Sequence, residues 1–423
     1  MTSRTKRGKR AGRKWVGVLV AILVLVIGIR LVQAEQAGDK SPFAGTAQAH
    51  ADTAWDDLFQ NYGNLSGQWT GGDGAQALAL PSGGTMWFFS DSYLGQVSAF
   101  GTRAQSSSGL AHNTGVYYSN GHLGPTYAQL PTVFGYVNES DYTWVSPPPP
   151  YATNQYELIN GDQVIDDGIA YKFYQLADRG LHPGGFQYKL VGTVVESFWV
   201  GTGTVMLSPD AGTPVQVQDS ASSDPIIWGV ATLRAGGYIY IYGVKPYNGS
   251  SDPYPLYLAR VPSGGLAAGD PWQYFDGTPD CSSSSSSAWT SSPQSAKTLR
   301  TGVSSGFSVT DVNGTYVLLT SDDSGASGDQ SDAVAYYAKC PAGFSQEGPR
   351  YQVFDPKLAS GYLAYEYRIV PQFSNGANVL VSYSLNTTNL TLNLTNSSIY
   401  RPRFLDVRLP GIKGKAGPVT DPP

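Results

Sequence analysis

Gly71-Gly72-Asp73-Gly74-Ala75-Gln76-Ala77-Leu78-Ala79-Leu80, then Ser82-Gly83-Gly84, then Met86-Trp87-Phe88-Phe89, is the stretch on which the fold turns. An acidic residue opens a strand, a Gly-containing turn reverses the chain, and an aromatic strand returns. Turn chemistry of this kind between apolar runs marks a β-hairpin. The unit recurs along the chain. Gly161-Asp162-Gln163-Val164 is followed by the turn Asp167-Gly168 and the strand Ile169 to Tyr174. Asp224 to Gly229 is followed by Ala235-Gly236-Gly237 and Tyr238 to Tyr242. Ser305 to Val309 leads through Asn313-Gly314 to Tyr316–Leu319, and Glu366 to Ile369 leads through Asn375-Gly376 to Val379–Tyr383. The openers, at 73, 162, 224, 305 and 366, are 60 to 90 residues apart, room for a four-stranded sheet with its loops. Five such units predict an all-β, five-bladed β-propeller over residues 61–410. A pair of β-sandwiches has the same strand count, but no linker divides the repeat at its middle.

Composition agrees. Gly is 50 of 423 residues and Tyr 28, while only 14% are charged, which suits short strands and tight turns. The net charge of −5 offers no basic stripe, so nucleic acid is not an expected partner. Outside the N-terminal segment, Ala51 to Phe59 is the one short helix expected. Residues 35–60 read as a linker, Cys281 to Lys297 as a Ser-rich surface loop, Pro147 to Pro150 as a stiff connector and residues 411–423 as a flexible tail.

Residues 1–14 carry seven cations, from Arg4 to Lys14, and residues 15–34 hold an apolar run interrupted by Arg30. Positive charge stays on the cytoplasmic side, so this pattern predicts one N-terminal transmembrane or signal helix that carries the rest of the chain across the membrane. Val32-Gln33-Ala34 resembles a cleavage site, and Arg30 instead suits the outer end of a retained anchor. Either outcome places the ectodomain outside the cytoplasm or on the outer face of the membrane. Cys281 and Cys340, the only cysteines, are expected to pair in an oxidising compartment.

In a propeller the first strand of each blade lines the central channel. Asp73, Asp162, Asp224 and Glu366 should therefore face one another at one rim, with Ser304 or Ser305 in the fourth unit. Asp91, at the end of the aromatic strand, joins Asp73 as the leading catalytic pair. Gathered carboxylates suit glycoside cleavage, because crowding separates their pKa values into an acid and a base or nucleophile. Trp69, Tyr93, His112, Asn113 and Tyr365 are the expected substrate contacts. No cofactor and no metal site are expected, although a structural cation in the channel stays open. The sequence carries no serine-nucleophile elbow and no phosphate-binding loop.

The ordered motifs Trp69 to Gly74, Trp87 to Gly95, His112-Asn113-Thr114, Trp228 to Ala231, Leu258 to Pro262, Phe307 to Thr310, Leu380 to Tyr383 and Tyr400-Arg401-Pro402-Arg403-Phe404 together resemble a group of secreted bacterial propellers. That group includes endo-D-arabinanases acting on cell-wall arabinan. The resemblance implies an extracellular polysaccharide as partner, with Asp73 and Asp91 as the catalytic pair. Where relatives show His-Pro-Glu, this chain reads Val370-Pro371-Gln372, which leaves a non-catalytic glycan- or protein-binding propeller as the alternative.

Overall fold

The computed structural model describes residues 42–64, 69–103, 110–127, 144–153, 155–180, 188–200, 205–207, 213–217, 225–246, 254–279, 281, 288–322, 332–414 and 417–422. The basic and apolar segments at residues 1–34 lie outside these, as do Asp224 and residues 282–287 of the Ser-rich loop. Among the described residues, no helix is long and apolar enough to cross a membrane.

The structure is mostly β. Five mainly antiparallel sheets follow one another along the chain, each with an inner strand: Gln76–Ala79, Tyr156–Asp166, Ile227–Ala235, Phe307–Val312 and Tyr362–Asn375; a sixth, three-stranded sheet pairs Trp69–Gly72, Ser92–Leu94 and Leu110–Ala111. Neighbouring inner strands touch in chain order, and the fifth touches the first. The arrangement is propeller-like. Between the sheets lie buried apolar layers, such as Phe173, Trp228, Ile239 and Ile241 between the second and third. The hairpins follow the expected turn chemistry. Asp167 and Asn313 sit at φ 48° and 53°, and the glycines after them are also left-handed. Two consecutive positive φ values match the twist of the flanking strands.

The chain closes the last sheet with residues expected to be linker. Gln48–Ala51 pairs antiparallel with Pro402–Arg408, and Gly45–Thr46 runs parallel to Arg350–Phe354 in the fourth sheet. Both outer strands would otherwise expose unpaired edges. The expected helix forms at Thr53–Asn61, capped by Asp52, whose Oδ1 accepts from Trp55 N at 3.1 Å. Trp55 and Phe59, one turn apart, are fully buried. The C-terminal tail also differs from expectation. Ile412 and Val419 are buried, Trp55 Nε1 donates to Thr420 O at 3.0 Å, and Thr420 N donates to Phe373 O. Two apolar anchors in a Gly/Pro/Lys segment suffice to hold it to the core.

Cys281 and Cys340 form the disulfide, with their Cα atoms 5.6 Å apart and 59 positions apart in sequence. Closing a loop of that length removes chain entropy from the unfolded state, about 4 kcal/mol in the loop-entropy account. The double variant Cys281→Ser/Cys340→Ser is expected to lose about 2–4 kcal/mol in urea unfolding while keeping its far-UV spectrum. An unchanged midpoint would show that the crosslink constrains nothing the fold needs.

Candidate functional site

Asp73 lies between the strand Trp69–Gly72 and the first inner strand. Its backbone is tied to that of Asp91: Asp73 N donates to Asp91 O at 3.3 Å, and Ser90 N donates to Asp73 O at 2.8 Å. The two acids therefore leave the chain from paired segments. Gly74 follows at φ +67°, and a Cβ there would stand 2.7 Å from Ser90 Oγ and 3.3 Å from Glu366 Oε2. Only glycine leaves room at this turn for the Ser90 hydroxyl and the Glu366 carboxylate.

Asp73 Oδ2 accepts from the Tyr365 hydroxyl at 2.7 Å. That hydroxyl accepts from Asn386 Nδ2 at 3.0 Å, and Asn386 Oδ1 accepts from Asn393 Nδ2 at 2.9 Å. The relay fixes the phenol's direction. Burial pushes the Asp73 carboxyl well above the usual carboxylate range, and the charges of Glu366 and Asp91 push the same way. The Tyr365 and Tyr400 hydroxyls offset only part of this. Glu366 is also raised by burial, against Arg368, the Ser384 hydroxyl, Gly74 N and Lys172. It adopts φ 56°, a left-handed conformation that a non-glycine residue holds at a cost of roughly 1 kcal/mol or more.

Asp91 belongs to a second, adjoining cluster. His112 Nδ1 stands 3.0 Å from both Asp91 Oδ1 and Glu157 Oε2. Arg179 reaches the same acids, with Nε 2.5 Å from Glu157 Oε2 and Nη2 3.7 Å from Asp91 Oδ2. Burial disfavours the charged imidazole of His112, but the Asp91 hydrogen bond and the two carboxylates prevail and raise its pKa. Glu157 is raised by burial and by Asp91. The side chain of Asp91 is 28% exposed and that of Glu157 3%, so Asp91 is the carboxylate a substrate can reach. Ligand atoms of Asp91, His112 and Glu157 lie within 4.8 Å of one another. That donor set suits a hard divalent cation, but His112 and Arg179 already bring positive charge to it.

Tyr93 flanks the acids, its ring 5.2 Å from that of Tyr400 and 5.0 Å from the Arg103 guanidinium. Thus Asp73, Asp91, Glu366, Tyr93, His112 and Tyr365 converge as expected. Others do not. Trp69 is fully buried against Phe89, at 4.6 Å between ring centroids, and offers no face to a sugar. Asn113 is buried and clamps Val145, donating to its carbonyl and accepting from its N–H. Asp162 lies in a bulge between Asn160 and Gln163, where Thr232 N and Oγ1 donate to its Oδ2 at 2.6 and 3.0 Å. The second inner strand begins earlier than the repeat suggests, so Glu157 occupies the place expected of Asp162. Glu157, Arg179 and Tyr400 were not anticipated. An acid inside the apolar strand Tyr156-Glu157-Leu158-Ile159 was the one available signal.

Between this site and the far end of the inner strands sits Lys172, fully buried. Its Nζ donates to Gln76 Oε1 and Gly161 O at 2.5 Å and to Gln163 Oε1 at 2.9 Å. Burial pushes its pKa well down, against the pull of Asp162 and Glu366. Val370-Pro371-Gln372 lies beyond it, roughly 13–20 Å along the strand from Glu366 by strand rise. That triplet lines a separate cavity with Arg368 and Asp162.

Fold and site together define a mostly-β, propeller-like protein with clustered acids and a histidine–arginine pair at one end of its inner strands. The chain belongs to the family described as "Domain of unknown function (DUF5005)", whose model matches residues 56–409. It is similar in fold to the crystal structure of "a putative hydrolase from Bacteroides ovatus ATCC 8483", at 18% identity over 85% of this chain and 90% of that one, with a TM-score of 0.61. More distant are an α-L-arabinofuranosidase from Clostridium thermocellum (13% identity, 88% and 98% covered, TM-score 0.45) and a GH43_1 enzyme from Xanthomonas citri complexed with xylotriose (11%, 88% and 98%, 0.43). The last two likenesses are too remote to carry an argument. No curated protein matches the chain.

Proposed function

We propose that this chain is an exported, carbohydrate-active, five-bladed propeller that cleaves cell-wall arabinan or a related extracellular polysaccharide. The observation that carries the reading is the pairing on hydrogen-bonded backbone of two part-exposed acids in unlike surroundings, Asp73 with its pKa pushed well up and Asp91 beside His112 and Arg179. Asp73, its pKa raised by desolvation and the neighbouring carboxylates, is suited to carry a proton and give it to a leaving glycosidic oxygen. Asp91, bonded by His112 and facing Arg179, acts as the ionised partner, either base or nucleophile. Tyr365 and Tyr400 aim hydroxyls at Asp73 and favour its carboxylate once the proton has left. The five-blade count is supported by the five inner strands and their cyclic contacts. Export and residence at the outer membrane face, cleaved or anchored, are supported by the basic-then-apolar residues 1–34.

The test is release of oligosaccharides from mycobacterial-type arabinogalactan by the purified ectodomain, read by chromatography, with Asp91→Asn as control. Internal fragments from the wild type and none from the variant are expected. Retention of glycan without any cleavage would replace this reading with the binding-propeller alternative.

A further inference from the structure

We propose that the cavity at the far end of the inner strands is a second ligand site, selective for a small molecule bearing a carboxylate. The cavity has a volume of about 620 Å³ and takes residues from all five inner strands, among them Asp162, Arg234, Asp311, Arg368 and Gln372. Its rim residues Ala79, Arg234, Asp311 and Pro371 are exposed, so it opens to solvent there, and Gln76, Ser308, Arg368 and Ser382 are buried at its floor. That volume is ordinary for a small-molecule site.

The polar groups lining it are unevenly spent. Asp162 Oδ2 is held by Thr232, Ser308 Oγ accepts from Ile369 N, and Ser382 Oγ donates to Ala75 O. Arg234 is tied to Asp166 and Ile165 O. Arg368 is different. Its side chain is 96% buried by exposure, and its Nη1 donates to Phe307 O at 2.7 Å and Val230 O at 3.2 Å. Among the described residues, its Nε and Nη2 have no hydrogen-bond partner, and neither has Gln372 Nε2 on the same strand and the same cavity. Nε and Nη2 form the side-on edge of a guanidinium, two parallel donors whose spacing matches the two oxygens of a carboxylate. A buried donor left unpaired is costly, so three together create a standing demand for an acceptor. The arrangement commits to an anion with two coplanar oxygens, which Gln372 Nε2 would bond from the side. Asp162 and Asp311 also face the cavity, and their charge favours a ligand with one negative group over one with several.

Titration calorimetry on the whole ectodomain tests this, using acetate, D-glucuronate and neutral D-glucose as probes. Saturable binding of acetate or glucuronate at about 10 mM or below, with none for glucose, is expected. Gln372→Glu, at the rim, should weaken carboxylate binding at least tenfold. Arg368→Lys, which keeps charge but loses the fork, should do the same. Thermal melts establish that each variant is folded, and Gln372→Glu should cleave polysaccharide at the wild-type rate if the wild type cleaves it. No saturable carboxylate binding by the wild type, or binding indifferent to a folded Gln372→Glu, overturns the proposal. Neither outcome depends on whether the acid cluster is catalytic.

Discussion

Asp73→Asn is expected to lower polysaccharide cleavage by about 10²–10⁴-fold, the range a positioned general acid supplies. The loss should fall on kcat, because an amide keeps the shape and still accepts from Tyr365. A substrate with a good aryl leaving group needs little protonation and should lose far less. Stability should move the other way. Burial and the neighbouring carboxylates raise the Asp73 pKa in the folded chain. The folded state therefore binds more protons than the unfolded state between the usual carboxylate pKa of about 4 and the raised value. Stability contributed by this group is present below that window and is lost as pH rises through it. Asp73→Asn removes the penalty, so the variant should melt above the wild type at neutral pH, and the gap should close on acidification. A variant that loses activity and stability together at neutral pH would refute the assignment of Asp73 as an acid held for catalysis.

Trp55→Ala should be the most damaging core substitution, costing about 3–5 kcal/mol. Trp55 touches five aromatic rings: Phe59, Trp87, Tyr118, Phe373 and Phe404, at centroid distances from 4.5 to 6.5 Å. These come from the helix, the first sheet and the last sheet. Its Nε1 also ties down Thr420. No single neighbour can collapse into the space an indole leaves. The urea midpoint should fall with the slope unchanged. A loss under about 1 kcal/mol would mean that the helix opens separately from the sheets.

Hairpins were legible because their turns are local. Asp167-Gly168 and Asn313-Gly314 announce left-handed pairs whatever surrounds them. Channel phase was not, because it depends on where each inner strand begins. Gly161-Asp162 looked like an opener, yet it sits in a bulge several residues inside a strand that starts at Tyr156. Asp73, Asp91 and Glu366 were readable as costly acids beside apolar strands. Arg179 and Tyr400 were not, because their partners lie far away in sequence. Trp69 shows the converse error. An aromatic beside an acid suggested a sugar platform, but the same ring is fully buried in the core. The strands at Gln48–Ala51 and Gly45–Thr46 were missed because their hydrogen-bonding partners are encoded more than three hundred residues later.

That last pairing sets an order of events. During synthesis Gln48–Ala51 leaves the ribosome about 350 residues ahead of Pro402–Arg408. At ordinary elongation rates the first strand waits roughly 20–70 s for its mate. Throughout that interval the outer edge of the last sheet cannot exist, and Trp55 lacks the ring of Phe404. Closure of the last sheet thus waits on a strand encoded about 350 residues downstream of its mate, and a chain truncated shortly before Pro402 should be a ready substrate for proteases.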